Sequence, residues 1–340
     1  MRTACIFHRV DLDGWMSAAI VKHWFLNSLQ SNESYLLNGT RYDCGGDVHC
    51  VCKSINFIGF NYGDSIPDLS EYDRVIMCDI SFPKEEMKEL NARLGLNFIW
   101  IDHHISALKE NEFTVRSSGE IEMSLYHGNF HTKFAACELT WSYLFHGQPM
   151  PEIVRLLGRY DCFGHKGKEE EQKVLEFQYG ARNRIIDYQY AYEYLTGRVW
   201  LNGINDADNV STILSEGKAI YSYLCTDAKQ SYKNGFEILF IMTPNGEMPS
   251  FVPNVKRFIC INKERFNPIN FGIKYHEDGY DGCACFHMGP DKMLNFSLYN
   301  DDGKVDVSVI AKQFGGGGHA GAAGFRISMN RAMSLFGVEF

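Results

Sequence analysis

An α/β fold, with a parallel sheet carrying helices on both faces and a smaller α+β domain after it, is predicted by three features of the 340-residue chain. In the first half, short apolar runs alternate with longer amphipathic stretches, the pattern of parallel strands joined by crossover helices. From about residue 232 the texture changes to closely spaced strand-like runs separated by turn signals such as PNG, EDGYDG and NDDG. The length, with 45% hydrophobic residues, allows two ordinary domains, each with its own core.

Taken in order, strands are expected at residues 3–7, 55–60, 74–78 and 97–101, and helices over 14–26, 84–94 and 134–146. Pro83 suits a helix start and Gly95 a helix end. Residues 166–230, rich in charge and tyrosine and opening with GHKGKEEEQK, read as a surface loop followed by helices. Beyond them, FEILFIM, RFICI, INFGIKY, CACFHM and LNFSLY read as strands, and Val305 to Phe314 as a short helix stopped by Gly315. Ala320 to Ala323 can begin another element. The expected organisation is a first domain over 1–185, a helical linker over 186–231 and a second domain over 232–340.

Composition narrows the function classes. A net charge of −9 argues against broad attraction to long duplex nucleic acid, whose binders carry a basic face. A small or short anionic substrate is still compatible, because bound cations can supply positive charge locally. The opening MRTACIFHRV lacks the features of a signal peptide, and no apolar run approaches bilayer length, so the expectation is a cytoplasmic protein with no membrane association. Eleven cysteines, an odd number scattered through a long chain, fit reduced thiols better than a disulfide framework. Cys44, His49, Cys50 and Cys52 lack the paired C-x-x-C spacing of a zinc knuckle, and their glycines suggest a turn. The run YQYAYEYL, residues 188 to 195, is read as packing between domains rather than as a base-stacking surface.

The informative pattern is acids at the ends of apolar runs. CIF leads to His8, Asp11 and Asp13; VIMC leads to Asp79; FIWI leads to Asp102, His103 and His104; and LLGRY leads to Asp161. The carboxyl ends of strands in an open parallel sheet face one crevice, so the first three clusters converge there, with Asp161 joining from the next segment. Gathered carboxylates repel one another, and desolvating each uncompensated ion costs on the order of several kcal/mol, so only cations justify the arrangement. Aspartate and imidazole without cysteine favour Mn²⁺ or Mg²⁺ over structural zinc. So many ligands suit a pair of ions about 4 Å apart, the spacing used for phosphoryl chemistry. A lone D-x-D is as readily a turn or cap; the conjunction of all four clusters carries the signal.

These motifs, H-R-V-D-L-D-G at 8–14, C-D-I-S at 78–81, I-D-H-H at 101–104 and Y-D-C-F-G-H at 160–165, resemble the DHH phosphoesterases. The resemblance implies a dinuclear Mn²⁺ site. One ion would take His8, Asp11 and Asp79; the second would take Asp13, Asp79, His103 and Asp161, with Asp79 bridging. It also implies that His104 faces the scissile phosphate or leaving group and that Asp102 orients the histidines. His8 precedes Asp11 by three residues where many relatives use four, and some relatives have no histidine there. His165 is read as structural or as lying behind the site rather than as a ligand.

The run GGGGHAGAAGF, 315–325, is similar to the signature of the DHH-associated C-terminal domain, which grips the distal phosphate or nucleotide. By their backbone freedom, Gly316, Gly317 and Gly318, with His319 and a following helix start, form the expected anion cradle. Tyr299, in S-L-Y-N, stands where nucleotide-acting relatives carry arginine; it can stack or hydrogen-bond but cannot clamp a phosphate bidentately. Recognition would then lean on Arg257, Lys274 or Lys292. The two-domain form most resembles the nanoRNase and pAp-phosphatase branch, which implies hydrolysis of short oligonucleotides, linear dinucleotides or nucleotides such as pAp by a two-metal-activated water. Alternatives are an inorganic pyrophosphatase, a RecJ-type exonuclease and a non-catalytic nucleotide-binding module. Oligomeric state is left open, a homodimer included.

Overall fold

Thr3 to Phe7 are buried without a break, which a strand allows only when both of its faces are covered. They belong to β1 (Arg2–His8), followed by α1 (Leu12–Asn27), β2 (Tyr35–Leu37), β3 (Thr40–Tyr42), β4 (Lys53–Phe60), β5 (Arg74–Cys78), α2 (Lys84–Leu94) and β6 (Phe98–Asp102). Next come α3 (Ile105–Glu110), β7 (Thr114–Val115), β8 (Ile121–Met123), β9 (His127–Phe130), α4 (Ala136–Leu144), α5 (Glu152–Asp161), α6 (Glu171–Arg184), α7 (Tyr188–Thr196) and α8 (Asp206–Lys233). The computed structural model describes residues 1–29, 35–42, 53–123, 125–197, 206–242, 254–264 and 266–337. They fall into two compact units, Met1–Ile220 and Tyr221–Phe340.

The main sheet of the first unit has the order β3-β2-β4-β1-β5-β6-β9, parallel throughout except for the β2–β3 pair. Alternate residues of its central strands serve two cores. Ala4, Ile6, Val75, Met77, Phe98 and Trp100 pack with α2 and α3 on one face. Cys5, Phe7, Ile76, Cys78, Ile99 and Ile101 pack with α1 and α4 on the other. The far side of α1, through Met16, Ala19 and Ile20, is covered in turn by α5, α6 and α7. Helix α1 is therefore apolar almost all round, as a helix buried between layers must be.

The residues expected as a linker, 186–231, are divided between the units, the boundary falling within α8. Helix α7 belongs to the first unit: Asp187 caps it, accepting from the amides of Gln189 and Tyr190, and Ala191, Tyr192, Tyr194 and Leu195 enter the core. The aromatic run thus contributes to the core of the first unit. Because the run is helical, residues four apart share a face. Tyr192 and Tyr188 accordingly lie 4.2 and 5.9 Å from the Lys22 ammonium of α1.

The second unit contains β10 (Phe236–Met242), β11 (Asn254–Asn262), β12 (Gly282–Met288), β13 (Leu294–Tyr299), α9 (Val307–Gln313), β14 (Gly317–His319), β15 (Ala322–Ile327) and α10 (Met329–Leu335). Its mixed sheet has the order β10-β11-β12-β13-β15-β14, and α9 packs over Ile238, Phe258, Leu298 and Phe325. INFGIKY is not a strand. Pro268–Phe271 and Tyr275–Asp278 are 3₁₀ turns, since Pro268 cannot donate to a ladder, Asn267 caps the first turn and Gly272 closes it at φ 71°. Tyr275 anchors the segment: its buried hydroxyl donates to Asp301 Oδ1 at 2.6 Å and accepts from the Asp301 amide at 3.0 Å. Tyr275→Phe should cost about 1–3 kcal/mol, measured by denaturant unfolding; an unchanged midpoint would show that these bonds do not hold the turns.

The glycine run also differs from expectation. Helix α9 ends in a Schellman closure, with the Gly315 amide donating to Lys312 O at 3.0 Å and the Gly316 amide to Ala311 O at 2.9 Å. The chain then enters β14 and turns back into β15, so no helix start follows the glycines and the helix-based cradle is not built. A Cβ at Gly316 would meet Gly324 O at 2.1 Å, whereas one at Gly317 would meet nothing within 4 Å. Packing demands the first glycine and leaves the second free.

Candidate metal centre

The site begins with strand register. Phe7 pairs with Cys78 and Cys78 with Ile101, which sets His8, Asp79 and Asp102 side by side at the carboxyl ends of β1, β5 and β6. The connection after β1 runs to β2 on one side and the connection after β5 runs to β6 on the other, so the sheet order reverses between β1 and β5, the switch point at which open sheets form a crevice. Asp79, the residue after β5, adopts φ 63°, a left-handed conformation that costs on the order of 1–3 kcal/mol for a non-glycine residue and clusters at functional sites.

Helix termini bring the other acids. Asp11 caps α1, accepting from the Gly14 amide at 2.9 Å. Asp13, in the first turn of α1, reaches α4 and accepts from the amides of Ala136 at 2.8 Å and Cys137 at 2.7 Å, where the positive helix end favours a carboxylate. Glu138 satisfies the Ala135 amide and pairs with Arg159 of α5, tying α4 to the helix that ends in Asp161.

His103 Nε2 lies 3.2 Å from Asp161, 3.4 Å from Asp79 and 3.6 Å from Asp13. His8 Nδ1 lies 2.6 Å from Asp11 and 3.5 Å from Asp79. Three groups of ligand atoms result: His8, Asp11 and Asp79; Asp13, His103 and Asp161; and Asp79, His103 and His104. Asp102 is fully buried, and its Oδ1 accepts from the amides of His103 and His104 and from His104 Nδ1 at 2.8 Å. It thus fixes the His104 ring but touches His103 only through its backbone. His165 is buried, stacked on Tyr160 and bonded to Arg159 O, in none of these groups.

Crowded charge shows in the protonation of these groups. Burial, then the charge of Asp79, pushes Asp13 up to about 7; burial, then Asp13, does the same to Asp161. Asp79 is raised by burial and by Asp11. Burial pulls down on His8 and His104, but the adjacent carboxylates of Asp11 and Asp79 lift His8 to about 10, and Asp102 lifts His104 to about 9. His8 Nδ1, both Asp79 oxygens and His103 Nε2 are buried without a hydrogen bond. Converging, unsatisfied oxygen and imidazole donors fit hard or borderline divalent cations.

Three residues to which the sequence reading gave no role join the site, Ser81 among them although it lies in the C-D-I-S motif. Asn61, directly after β4, bonds His8 Nε2 at 3.2 Å. Tyr62, an exposed residue, lies 6.3 Å from the His8 ring; desolvation of its hydroxyl, then the charge of Asp102, pushes it up to about 12. Ser81 is buried beside that hydroxyl. Asn61 follows an apolar run as the acids do, so a search for any polar residue at strand ends would have found it.

The remaining candidates belong to the second unit. Tyr299 ends β13, paired with Cys283 and Ala322. Gly316 precedes β14, and Gly317, Gly318 and His319 pair along it with Gly324, Ala323 and Ala322. Arg257 is engaged by Glu237 at 2.7 Å, and Lys274 lies 3.2 Å from Glu277. Cys44, His49, Cys50 and Cys52 lie outside the described residues. Among the described residues no helix is long and apolar enough to cross a membrane.

The first unit is thus a parallel α/β domain whose strand ends assemble a site able to hold divalent cations. The family model of the DHH family, N-terminal domain, matches residues 3–157, which lie within the first unit. An uncharacterized protein, R106, of Acanthamoeba polyphaga mimivirus is 24% identical over 272 residues, 79% of this chain and 56% of that relative, so the chain spans about half of that protein's length. Similar solved structures include PggH from Vibrio cholerae, a pGpG-specific phosphodiesterase (12% identity, 99% and 96% of the two chains, TM-score 0.45). Exonuclease RecJ bound to manganese is another (14% identity, 99% and 88%, TM-score 0.49).

Proposed function

We propose that this chain is a metal-dependent phosphoesterase, with two divalent ions, Mn²⁺ first among them, that hydrolyses short oligonucleotides, linear dinucleotides or nucleotides such as pAp. The observation that carries the reading is the meeting of three ligand groups at Asp79 and His103, where both Asp79 oxygens and His103 Nε2 are buried and unsatisfied. When bound, such ions supply Lewis acidity toward phosphoryl oxygen and acidify a water at neutral pH. His8, Asp11 and Asp79 would hold one ion, and Asp13, Asp79, His103 and Asp161 the other. His104, held through Nδ1 by Asp102, keeps Nε2 for the leaving oxygen, to which it can deliver a proton. In the second unit, the proposed substrate-binding residues are Gly316, Gly317, Gly318, His319 and Tyr299; a Cβ at Gly317 would meet nothing within 4 Å.

The test is hydrolysis by the purified full chain with Mn²⁺ of pAp, pApA, pGpG, a five-residue RNA, a cyclic dinucleotide and pyrophosphate. Cleavage of one or more nucleotide substrates is expected, with His103→Ala slower by about 10³-fold, the scale on which a lost transition-state stabiliser is felt. No cleavage, or His103→Ala cleaving as fast as the unaltered chain, would overturn the reading.

A further inference from the structure

His8 is the ligand with the irregular spacing, and the structure surrounds it with a device that no acid-based motif contains. Its ring can ligate through Nδ1 only if the proton of the neutral imidazole resides on Nε2, and the group bonded to Nε2 decides that. Nε2 faces Asn61 Oδ1 at 3.2 Å. A carboxamide oxygen only accepts, so Nε2 must donate. Once the ring gives up its other proton, as ligation requires, the lone pair lies on Nδ1, which is turned toward Asp11 and Asp79.

Asn61 is itself fixed. Its amide donates to Asp64 Oδ2 at 2.8 Å, and the Asp64 amide donates to Asn61 O at 3.0 Å. Asp64 receives both Nε and Nη2 of Arg9, at 3.1 and 3.0 Å. Arg9, next to His8 in the chain, donates its own amide to Phe60 O at 3.1 Å, the residue before Asn61. The turn after β4 and the turn after β1 are thus locked together through both the backbone and the side chain of Arg9.

We infer that Asn61, held by the Arg9–Asp64 pair, is a positioning residue that fixes the tautomer and direction of His8, so that Nδ1 completes the site shared with Asp11 and Asp79. The inference rests on the metal reading proposed above but concerns a hydrogen bond present without any ion.

Two measurements on the full chain test it. In the ion-free protein, ¹⁵N-resolved histidine NMR should show His8 Nε2 carrying a proton that exchanges slowly with solvent. Asn61→Ala should expose that proton and speed its exchange at least tenfold, and Asn61→Asp, which keeps an acceptor, should keep it slow. In calorimetric titration with Mn²⁺, Asn61→Ala should weaken one class of site by about 10- to 100-fold, the usual effect of removing a ligand's orienting partner, and leave the other unchanged. Asn61→Asp should restore it. His8 Nε2 without a proton, or Asn61→Ala folded with unaltered exchange, overturns the inference. So does Asn61→Ala with unaltered Mn²⁺ affinity where the unaltered chain binds two ions. If the unaltered chain binds no Mn²⁺, the metal reading fails, and the exchange measurement alone still decides the role of Asn61.

Discussion

Asp79→Asn is expected to lower hydrolysis by about 10³-fold or more while raising the melting temperature of the ion-free protein. Both oxygens of Asp79 are buried without a hydrogen bond, its carboxyl is raised by burial and by Asp11, and its backbone is left-handed at φ 63°. In the absence of cations the charge is therefore a liability at neutral pH. Asparagine removes it, keeps the shape and is among the few residues that accept the left-handed region. The gain should be about 1–2 kcal/mol, seen as a rise of roughly 2–8 °C for a unit of this size. Excess Mn²⁺ should reverse the order, because an ion held a hundredfold above its Kd adds about 2.7 kcal/mol to the unaltered chain. Thermal denaturation with and without Mn²⁺, alongside the hydrolysis assay, checks this; a lower melting temperature without ion would show that Asp79 stabilises the fold.

Gly14→Ala should be the most damaging single-methyl change in the first unit's motifs. A Cβ at that position would sit 2.0 Å from the carbonyl oxygen of His8, a backbone atom that cannot step aside. The start of α1 would have to leave the end of β1, separating Asp11 and Asp13 from His8 and Asp79. The expected cost is about 3 kcal/mol or more, above the usual range for overpacking because the obstacle is main chain. Mn²⁺ binding should be lost even below the lowered melting temperature. Gly317→Ala is the control: nothing lies within 4 Å of its added Cβ, so stability should stay within about 0.5 kcal/mol. Equal destabilisation by the two substitutions would contradict the packing.

The acids were legible because strand-end position is a one-dimensional property. Asp79 and Asp102 each follow four apolar residues, and a parallel sheet necessarily aligns such ends. Asp13 could be singled out the same way, but its two bonds to the start of α4 could not, since their partners are 123 and 124 residues away. INFGIKY misled because Phe271, Ile273 and Tyr275 are buried here too, in turns rather than in a ladder; burial pattern alone does not separate the two. The glycine run misled for a related reason: a helix stop was visible, but whether the chain then pairs with a strand depends on β15 lying beside it.

Local chemistry written in the sequence determined the α/β class, the parallel central strands and the set of carboxylates and imidazoles at their ends. Hydrophobic period and strand-end position need no knowledge of distant residues. Tertiary structure alone decided the rest: the left-handed turn at Asp79, the reach of Asp13 to α4, the hairpin after the glycines and the bond from His8 to Asn61. Each joins atoms whose separation along the chain carries no signal, so each becomes visible only when the sheet has set its register.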